Sequence, residues 1–390
     1  MSTRAGDGSE DHRARPRVRV TGQRRLADLW ALARPGTALA DAVPLAAGAL
    51  AVDHPGAGTV LLVAAAGVLL SVHGGLLDAV AGLPGDRLSP ARRGSPLVRG
   101  RLTARHVLVV AVVAGLAVVV GGLLGAPSTT ARLGFAVLVA LRAALAATRV
   151  PGTRVPAPAR CLLTLVAVGG RLPLGVLAAG GTLSGGVWAL GAGFGLAALV
   201  TGCTVVNLTD LATDRVVGRR TTALAAGVRL RWPRGFVFPG PYVAIVVTAQ
   251  VGVVGAVSAA AGLAVFAAEG GAEALRRSTS AAPAGGVGAA VRTAAAGAAV
   301  AVGLAAVLAL ARLLRTGAPG LDPIRPLGPR GSGFVRLNLL ACHLASAAWI
   351  LGRPGGPSPW ALLPAAAGWL VVLLASLRER TRLRTAAPPG

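Results

Sequence analysis

Asp210 and Asp214 lie four residues apart in the segment VVNLTDLATDRVVGRRTTALAAG, with Asn207 three residues before the first of them. On a helix the spacing i, i+3, i+7 puts all three side chains on one face. Two carboxylates one turn apart can each hold a Mg2+ that keeps several waters and is completed by substrate phosphate oxygens. Arg215, Arg219 and Arg220 follow directly, and guanidinium groups pair with such phosphates. The chemistry indicated is the handling of a diphosphate. The plain alternative is a helix end whose charges balance one another in solvent.

A second acidic segment, DAVAGLPGDRLSPARRGSPLVRGRLT, carries Asp78 and Asp86, followed by Arg92, Arg93, Arg99 and Arg101. Gly82 and Pro84 weaken helix continuity between the two aspartates, and a solvated loop is the alternative reading here. The chain has only 14 acidic residues. Asp7, Glu10, Asp11, Asp53, Glu269, Glu273 and Glu379 fall in polar arms or on the outer side, and Asp28 and Asp322 can be solvated. Asp41 is an outlier. Arg171 lies in VAVGGRLPLG, deep in an apolar run. An intramembrane arginine is costly and usually faces a cavity or a partner. A hydrogen bond to a neighbouring helix's carbonyl would also account for it, and Asp41 is a candidate partner. His73, His106 and His343 are isolated near helix ends and read as structural.

The elements that must carry these groups are apolar. The chain has 390 residues, 54% of them hydrophobic and 14% charged, where soluble domains are about a quarter charged. A mean hydropathy of +0.68 points to a bundle in lipid. Glycine alone accounts for 55 residues, and small residues let helices approach closely there. Spans of roughly 17–25 apolar residues cross a bilayer. Such segments are predicted at about 37–52, 59–77, 106–125, 132–148, 161–180, 186–206, 241–267, 289–311, 335–351 and 359–377. The expected fold class is therefore all-α, a polytopic transmembrane bundle of about nine or ten helices.

The formal net charge is +25, and all 39 basic residues are arginine. Such a balance can mean nucleic acid, but these arginines cluster between apolar runs, so lipid is the expected environment and nucleic acid is not an expected partner. With the N-terminus inside, the inner segments and the inner end of the fourth helix carry 33 arginines and the outer side five, with Arg171 mid-span. The positive-inside rule thus predicts a multi-pass protein of the cell or inner membrane with both termini cytoplasmic. Cys161, Cys203 and Cys342 all fall in apolar runs and form no metal or disulfide pattern. Residues 1–33 read as a disordered basic cytoplasmic arm with no cleavable signal peptide. Residues 34–352 form the expected transmembrane domain, and 353–390 an additional helix with a basic tail. The stretch at about 268–288 reads as a flexible outer loop.

The pattern Asn207, Asp210, Asp214, Gly218, Thr221, Gly227 closely resembles the second aspartate motif of the UbiA superfamily of intramembrane prenyltransferases. The family's first motif reads roughly N-D-x-x-D-x-x-x-D and then R-P-L-x-x-G. Here Asp78 falls on its asparagine and Asp86 on its last aspartate, while Ala79 and Gly82 replace the two others. Ser95, Pro96, Leu97 and Gly100 fall on R-P-L-x-x-G, with Ser95 replacing the arginine. ALARPG, with Arg34 and Pro35, and FVRLNLLACHLASAAWILG are similar to the family's first and ninth helices. ALAATRVPG keeps Arg149 of a usual basic pair but has no tyrosine; the chain's one tyrosine is Tyr242. The run 359–377 would add to the usual nine helices.

The resemblance spans about residues 25–352 and implies prenyl transfer from an allylic polyprenyl diphosphate to a small acceptor, commonly an aromatic ring or quinone precursor. It implies Mg2+ as cofactor, with Asp210 and Asp214 as ligands and Asn207 orienting them. Asp78 and Asp86 would be further metal ligands. Arg93, Arg99, Arg149, Arg171, Arg215, Arg219 and Arg220 would bind diphosphate. The incomplete first motif keeps open a rival reading, a prenyl-lipid-binding member without catalysis. A transporter is the other alternative, disfavoured because the charges lie at one edge and no internal repeat is evident.

Overall fold

The computed structural model describes residues 22–33, 35–52, 55–89, 92–231, 235–278, 286–316 and 328–351. The helices are α1 (Gly22–Ala33), α2 (Pro35–Leu50), α3 (Ala57–Leu88), α4 (Ala104–Gly125), α5 (Thr129–Ala147), α6 (Ala157–Gly169), α7 (Arg171–Ala178) and α8 (Gly185–Thr201). After a π-helical turn at Gly202–Val206 come α9 (Asn207–Thr209), α10 (Leu211–Val216), α11 (Thr222–Ala225), α12 (Gly240–Ser278), α13 (Gly286–Thr316) and α14 (Gly328–Leu351). An antiparallel hairpin, β1 (Arg229–Arg231) with β2 (Gly235–Val237), pairs Arg229 with Val237.

Seven helical spans are long and apolar enough to cross a membrane, and Arg336–Leu351 is a shorter apolar helix. With α2, nine of the ten expected segments are helical in the described residues. The tenth, 359–377, and the C-terminal tail lie outside them, as do residues 1–21. The fifth crossing is split into α6 and α7; Pro173 in its second part has no N–H to donate.

Lipid offers no hydrophobic drive for one helix to bury against another, so close packing must hold the bundle. Glycines make it possible. A Cβ on Gly48 of α2 would overlap the carbonyl of Leu172 in α7, and one on Gly175 of α7 would overlap the carbonyl of Leu45 in α2. Between α6 and α8 the same reciprocity holds: a Cβ on Gly169 would come 2.7 Å from Gly191 O, and one on Gly191 2.7 Å from Gly169 O. The helix α7 has two apolar faces. Leu174 and Ala178 join a core with α2 to α5, whereas Leu172 and Val176 join the core built by α8 and α12 to α14. The opposite surface is greasy: Leu108, Val112, Leu116 and Leu123 line the outside of α4 and are half-exposed, as lipid contact requires.

Three stretches depart from the sequence expectation. Residues 22–33, read as the end of a disordered arm, are helical because they find partners. Asp28 pairs with Arg101 at 3.0 Å, and Leu32 and Ala33 pack with Leu76, Leu97, Leu102 and Val107. The helix α3 runs on to Leu88 through Gly82 and Pro84, so Asp78 and Asp86 stand on one helix and not in a loop. The helix α12 continues to Ser278, through the first part of the expected 268–288 loop; EGGAEALRRS contains good helix formers.

Gly175→Leu should drive α2 from α7 at a cost of about 1–3 kcal/mol, lowering the thermal unfolding midpoint of the detergent-solubilised protein. Gly297→Ala, where nothing lies within 4 Å of the added Cβ, should leave that midpoint unchanged or raise it.

Candidate functional site

The second acidic segment owes its shape to local signals. After the π-helical turn the chain makes one short helix, breaks at Asp210 (φ −94°, ψ 3°), and resumes as α10. The break does not separate the two acids, since Asp214 N still donates to Asp210 O at 2.7 Å. Asn207, Asp210 and Asp214 are thus not on one continuous helical face. Gly218 adopts φ +71°, a left-handed conformation that costs glycine little. There it closes α10: Arg219 N donates to Asp214 O at 2.8 Å and Gly218 N to Arg215 O at 3.4 Å, the paired bonds of a Schellman end. Thr221 then caps α11, its hydroxyl accepting from Leu224 N at 3.3 Å. Gly227, at φ +81°, turns the chain toward the hairpin. The π-helical turn is held from outside, because Tyr242 Oη donates to Cys203 O at 2.9 Å. Its ring stacks on Phe238, 5.5 Å between centroids.

The Schellman end places the Arg219 side chain beside the carboxylate one turn back. Arg219 Nη1 meets Asp214 Oδ1 at 3.1 Å, and both side chains are only 5% exposed. The remaining donors reach two other segments. Nε donates to Arg149 O at 2.8 Å, and Nη2 to the carbonyls of Ala81 and Gly82 at 3.4 Å. Gly85 leaves room for this: a Cβ there would stand 3.2 Å from Nη1. One guanidinium therefore ties α10 to the inner end of α3 and to the connection after α5.

Arg149 completes the link. Its Nη1 lies 3.7 Å from Asp78 Oδ2 and its Nη2 3.8 Å from Asp210 Oδ2. Both separations exceed hydrogen-bond length, so the attraction is electrostatic and leaves the carboxylate lone pairs available. Its position is set by Thr148, whose hydroxyl donates to Leu145 O at 2.6 Å and whose carbonyl accepts from Arg160. Asp86 lies 3.9 Å from Arg92 at the edge of the cluster. Burial opposes the charge of Arg149, but Asp78 and Asp210, with Asp86 and Asp214 behind them, outweigh it and raise its pKa above the ordinary guanidinium value. Burial, then the charge of Asp210, push the Asp214 carboxyl above the usual carboxylate range, against the pull of Arg219.

The structure thus brings together Asp78, Asp86, Asp210, Asp214, Arg149 and Arg219. Arg93 and Arg99 are exposed, and Arg99 Nε donates to Arg93 O at 3.2 Å. Arg215 and Arg220 are exposed next to the cluster. Arg171 is 1% exposed and begins α7, in the middle of the fifth crossing. Asn207 makes no side-chain hydrogen bond among the described residues. Tyr242 is a supporting residue that sequence reading missed; its signal was being the chain's one tyrosine.

The donor set suits Mg2+. It is made of carboxylate oxygens, and Asp78, Asp86 and Asp210 are partly exposed. Among the described residues no three metal-ligating side chains converge closely enough to cage an ion. An ion there would have to be shared with phosphate oxygens, which is how Mg2+ is usually held. Asp214, expected among the metal ligands, has one oxygen, Oδ1, engaged by Arg219.

A sequence profile of the UbiA prenyltransferase family matches residues 42–284, and the chain belongs to that family. No protein among curated sequences is similar enough to register as a relative. The fold is similar to that of a UbiA homolog from Archaeoglobus fulgidus bound to GPP and Mg2+, with a TM-score of 0.55, 13% identity, and 89% and 99% of the two chains covered. It is similar to an apo UbiA homolog from Aeropyrum pernix K1, with a TM-score of 0.54, 21% identity and coverages of 80% and 96%. A digeranylgeranylglyceryl phosphate synthase gives a TM-score of 0.53 at 12% identity, with 84% and 98% covered.

Arg219→Leu would leave Asp214 buried without its partner, a change that costs roughly 3–5 kcal/mol. Thermal unfolding in detergent should show a large drop, only partly restored in Arg219→Lys, which keeps the charge but not the fork of donors. Tyr242→Phe should cost about 1 kcal/mol by the same measurement.

Proposed function

We propose that this chain transfers an isoprenoid group from an allylic polyprenyl diphosphate to a small acceptor, with Mg2+ assistance. The observation that carries the reading is Arg149 standing between Asp78 and Asp210, which gathers two distant acidic segments into one pole. The match to the family profile supports it, as does the Archaeoglobus homolog's complex with GPP and Mg2+. The density of arginine around this pole supports a cytoplasmic orientation, with both termini on that side.

In this reading Asp210 and Asp78 would hold the metal together with the substrate's phosphate oxygens, with Asp86 beside them. Bound there, Mg2+ would supply Lewis-acid stabilisation of the departing diphosphate. Arg149 places a fixed positive charge where negative charge develops as the C1–O bond breaks and its electron pair leaves with the diphosphate, a form of preorganised stabilisation. Arg215 and Arg220 lie exposed where they can attract the incoming anion. Asp214 acts through Arg219, whose bonds keep α3, the segment at Arg149 and α10 in register. The acceptor's nucleophile, an aromatic ring, a quinone precursor or another small group, bonds to C1 and gives up a proton. The apolar helices take the prenyl tail and exclude water from the allylic cation. Aromatic residues make up only 3% of the chain, so few rings are available to shelter that cation.

One observation favours the rival reading of prenyl-lipid binding without catalysis: Ala79 and Gly82 stand where the family has acids. Mg2+-dependent release of diphosphate from a polyprenyl diphosphate would exclude that rival. Asp210→Ala and Asp78→Ala should each lower transfer in isolated membranes by at least about a hundredfold, assayed with labelled diphosphates of several chain lengths. Full activity in Asp210→Ala would remove the assignment.

A further inference from the structure

The cysteines show no disulfide pattern in the sequence, yet the fold brings two of the three together. Cys161 stands in the first turns of α6 and Cys203 in the π-helical turn, and their thiols are in hydrogen-bonding contact. The hydroxyl of Thr222, the first residue of α11, lies 3.5 Å from Cys161 Sγ and also bonds Cys203. Three separate segments therefore meet at one pair of sulfurs. Both are free thiols. Cys203 and Thr222 are buried, whereas Cys161 is half-buried.

A buried cysteine usually serves as a small apolar side chain. Cys342 is such a case: it is 1% exposed and packs beside Gly193 of α8. A contacting pair differs, because a disulfide needs two sulfurs that can close to about 2 Å. Thiols that already touch across two segments need only a rotation of their side chains to approach it. Their unequal exposure also sets an order, in which the accessible sulfur meets an oxidant and the buried one resolves the product. The pair sits where a covalent tie has a consequence. Cys203 O accepts the Tyr242 hydroxyl at 2.9 Å, and the turn that carries it leads into Asn207 and Asp210.

We propose that Cys161 and Cys203 form an oxidisable dithiol that takes a hydroperoxide as co-reactant, and that their disulfide ties α6 to the π-helical turn. In the first step Cys161 Sγ attacks one oxygen of the hydroperoxide. An S–O bond forms, the O–O bond breaks, and the other oxygen leaves with the thiol's proton as an alcohol, or as water from hydrogen peroxide. Cys161 is then a sulfenic acid. Cys203 Sγ attacks that sulfur; the S–S bond forms, the S–O bond breaks, and the hydroxyl leaves with the Cys203 proton as water. Two thiols are oxidised and one peroxide is reduced. A thiol reductant reverses the change by exchange, as suits a disulfide facing a reducing compartment. The inference is independent of the prenyl-transfer reading.

The test uses the purified full chain in detergent, treated with hydrogen peroxide, denatured with N-ethylmaleimide to block the remaining thiols, and digested without reduction for mass spectrometry. The peptides carrying Cys161 and Cys203 should be recovered joined, two hydrogens lighter than the separate pair, while Cys342 carries the maleimide. Dithiothreitol added after the peroxide should restore both thiols. In Cys203→Ser, Cys161 should stop at the sulfenic acid and be captured by dimedone; in Cys161→Ser, Cys203 should remain a thiol. The wild-type result decides alone where either variant fails to fold. The proposal is overturned if the wild-type chain keeps both thiols or yields only the Cys161 sulfenic acid. It is equally overturned if the joined peptides pair Cys161 with Cys161 of a second chain, or if Cys342 is oxidised as fast as the other two.

Discussion

Four carboxylates at one pole of a membrane bundle repel each other, and the structure depends on the two guanidinium groups set among them. Arg219 neutralises Asp214 in a setting where both are almost fully withdrawn from water. Arg149 divides its charge between Asp78 and Asp210. Their energetic roles differ. A buried pair pays a large desolvation penalty and is retained only where further hydrogen bonds complete it; Arg219 has those bonds, three of them to carbonyls on two other segments. Arg149 sits in a half-open position with separations beyond hydrogen-bond length, so its partners stay available to a ligand. One arginine builds the pole and the other serves it.

The same division appears in the apolar part. Reciprocal glycine contacts hold α2 to α7 and α6 to α8. Where the bundle must place a group accurately, a polar bond is added to the packing. Gln250 and Asn338, both buried, exchange two hydrogen bonds of 2.9 Å between α12 and α14. Tyr242, at the start of α12, holds the π-helical turn ahead of Asp210. A π turn inserts a residue into the helical register and is frequently found at functional sites; here it lies directly before the acid that faces Arg149.

Much of this was legible in the amino-acid sequence because the signals are local. Apolar length and the asymmetry of arginine located nine of the helices now described, and the spacing of Gly218, Thr221 and Gly227 corresponds to a helix end, a cap and a turn. Non-local features were not legible. Pro84 argues against a helix at the end of α3, yet the helix continues where Arg219 donates to the Ala81 carbonyl across 138 positions of sequence. The break at Asp210 likewise has no strong local breaker; it follows the π-helical turn that Tyr242 holds. Spacing reports which face the Asp214 side chain occupies, but not that Arg219 engages one of its oxygens.

The substitution at Gly82 changes how such a pole balances its charge. A Cβ at this position would lie 3.9 Å from both Asp86 carboxylate oxygens, so an acid there would add a further negative charge at close range. Glycine adds no such charge, and the backbone carbonyl of Gly82 accepts from Arg219. Four aspartates then face Arg149, Arg219 and Arg92, with Arg160 near enough to act on Asp214, so four negative charges are balanced by four positive ones. A diphosphate approaching such a neutral pole is attracted only by cations from outside that set. The exposed Arg215 and Arg220 are placed to attract it, and a divalent ion shared between Asp210, Asp78 and the phosphates would make the pole positive. With fewer acids to neutralise, the charge that this pole must import to accept a diphosphate is smaller than a complete first motif would require.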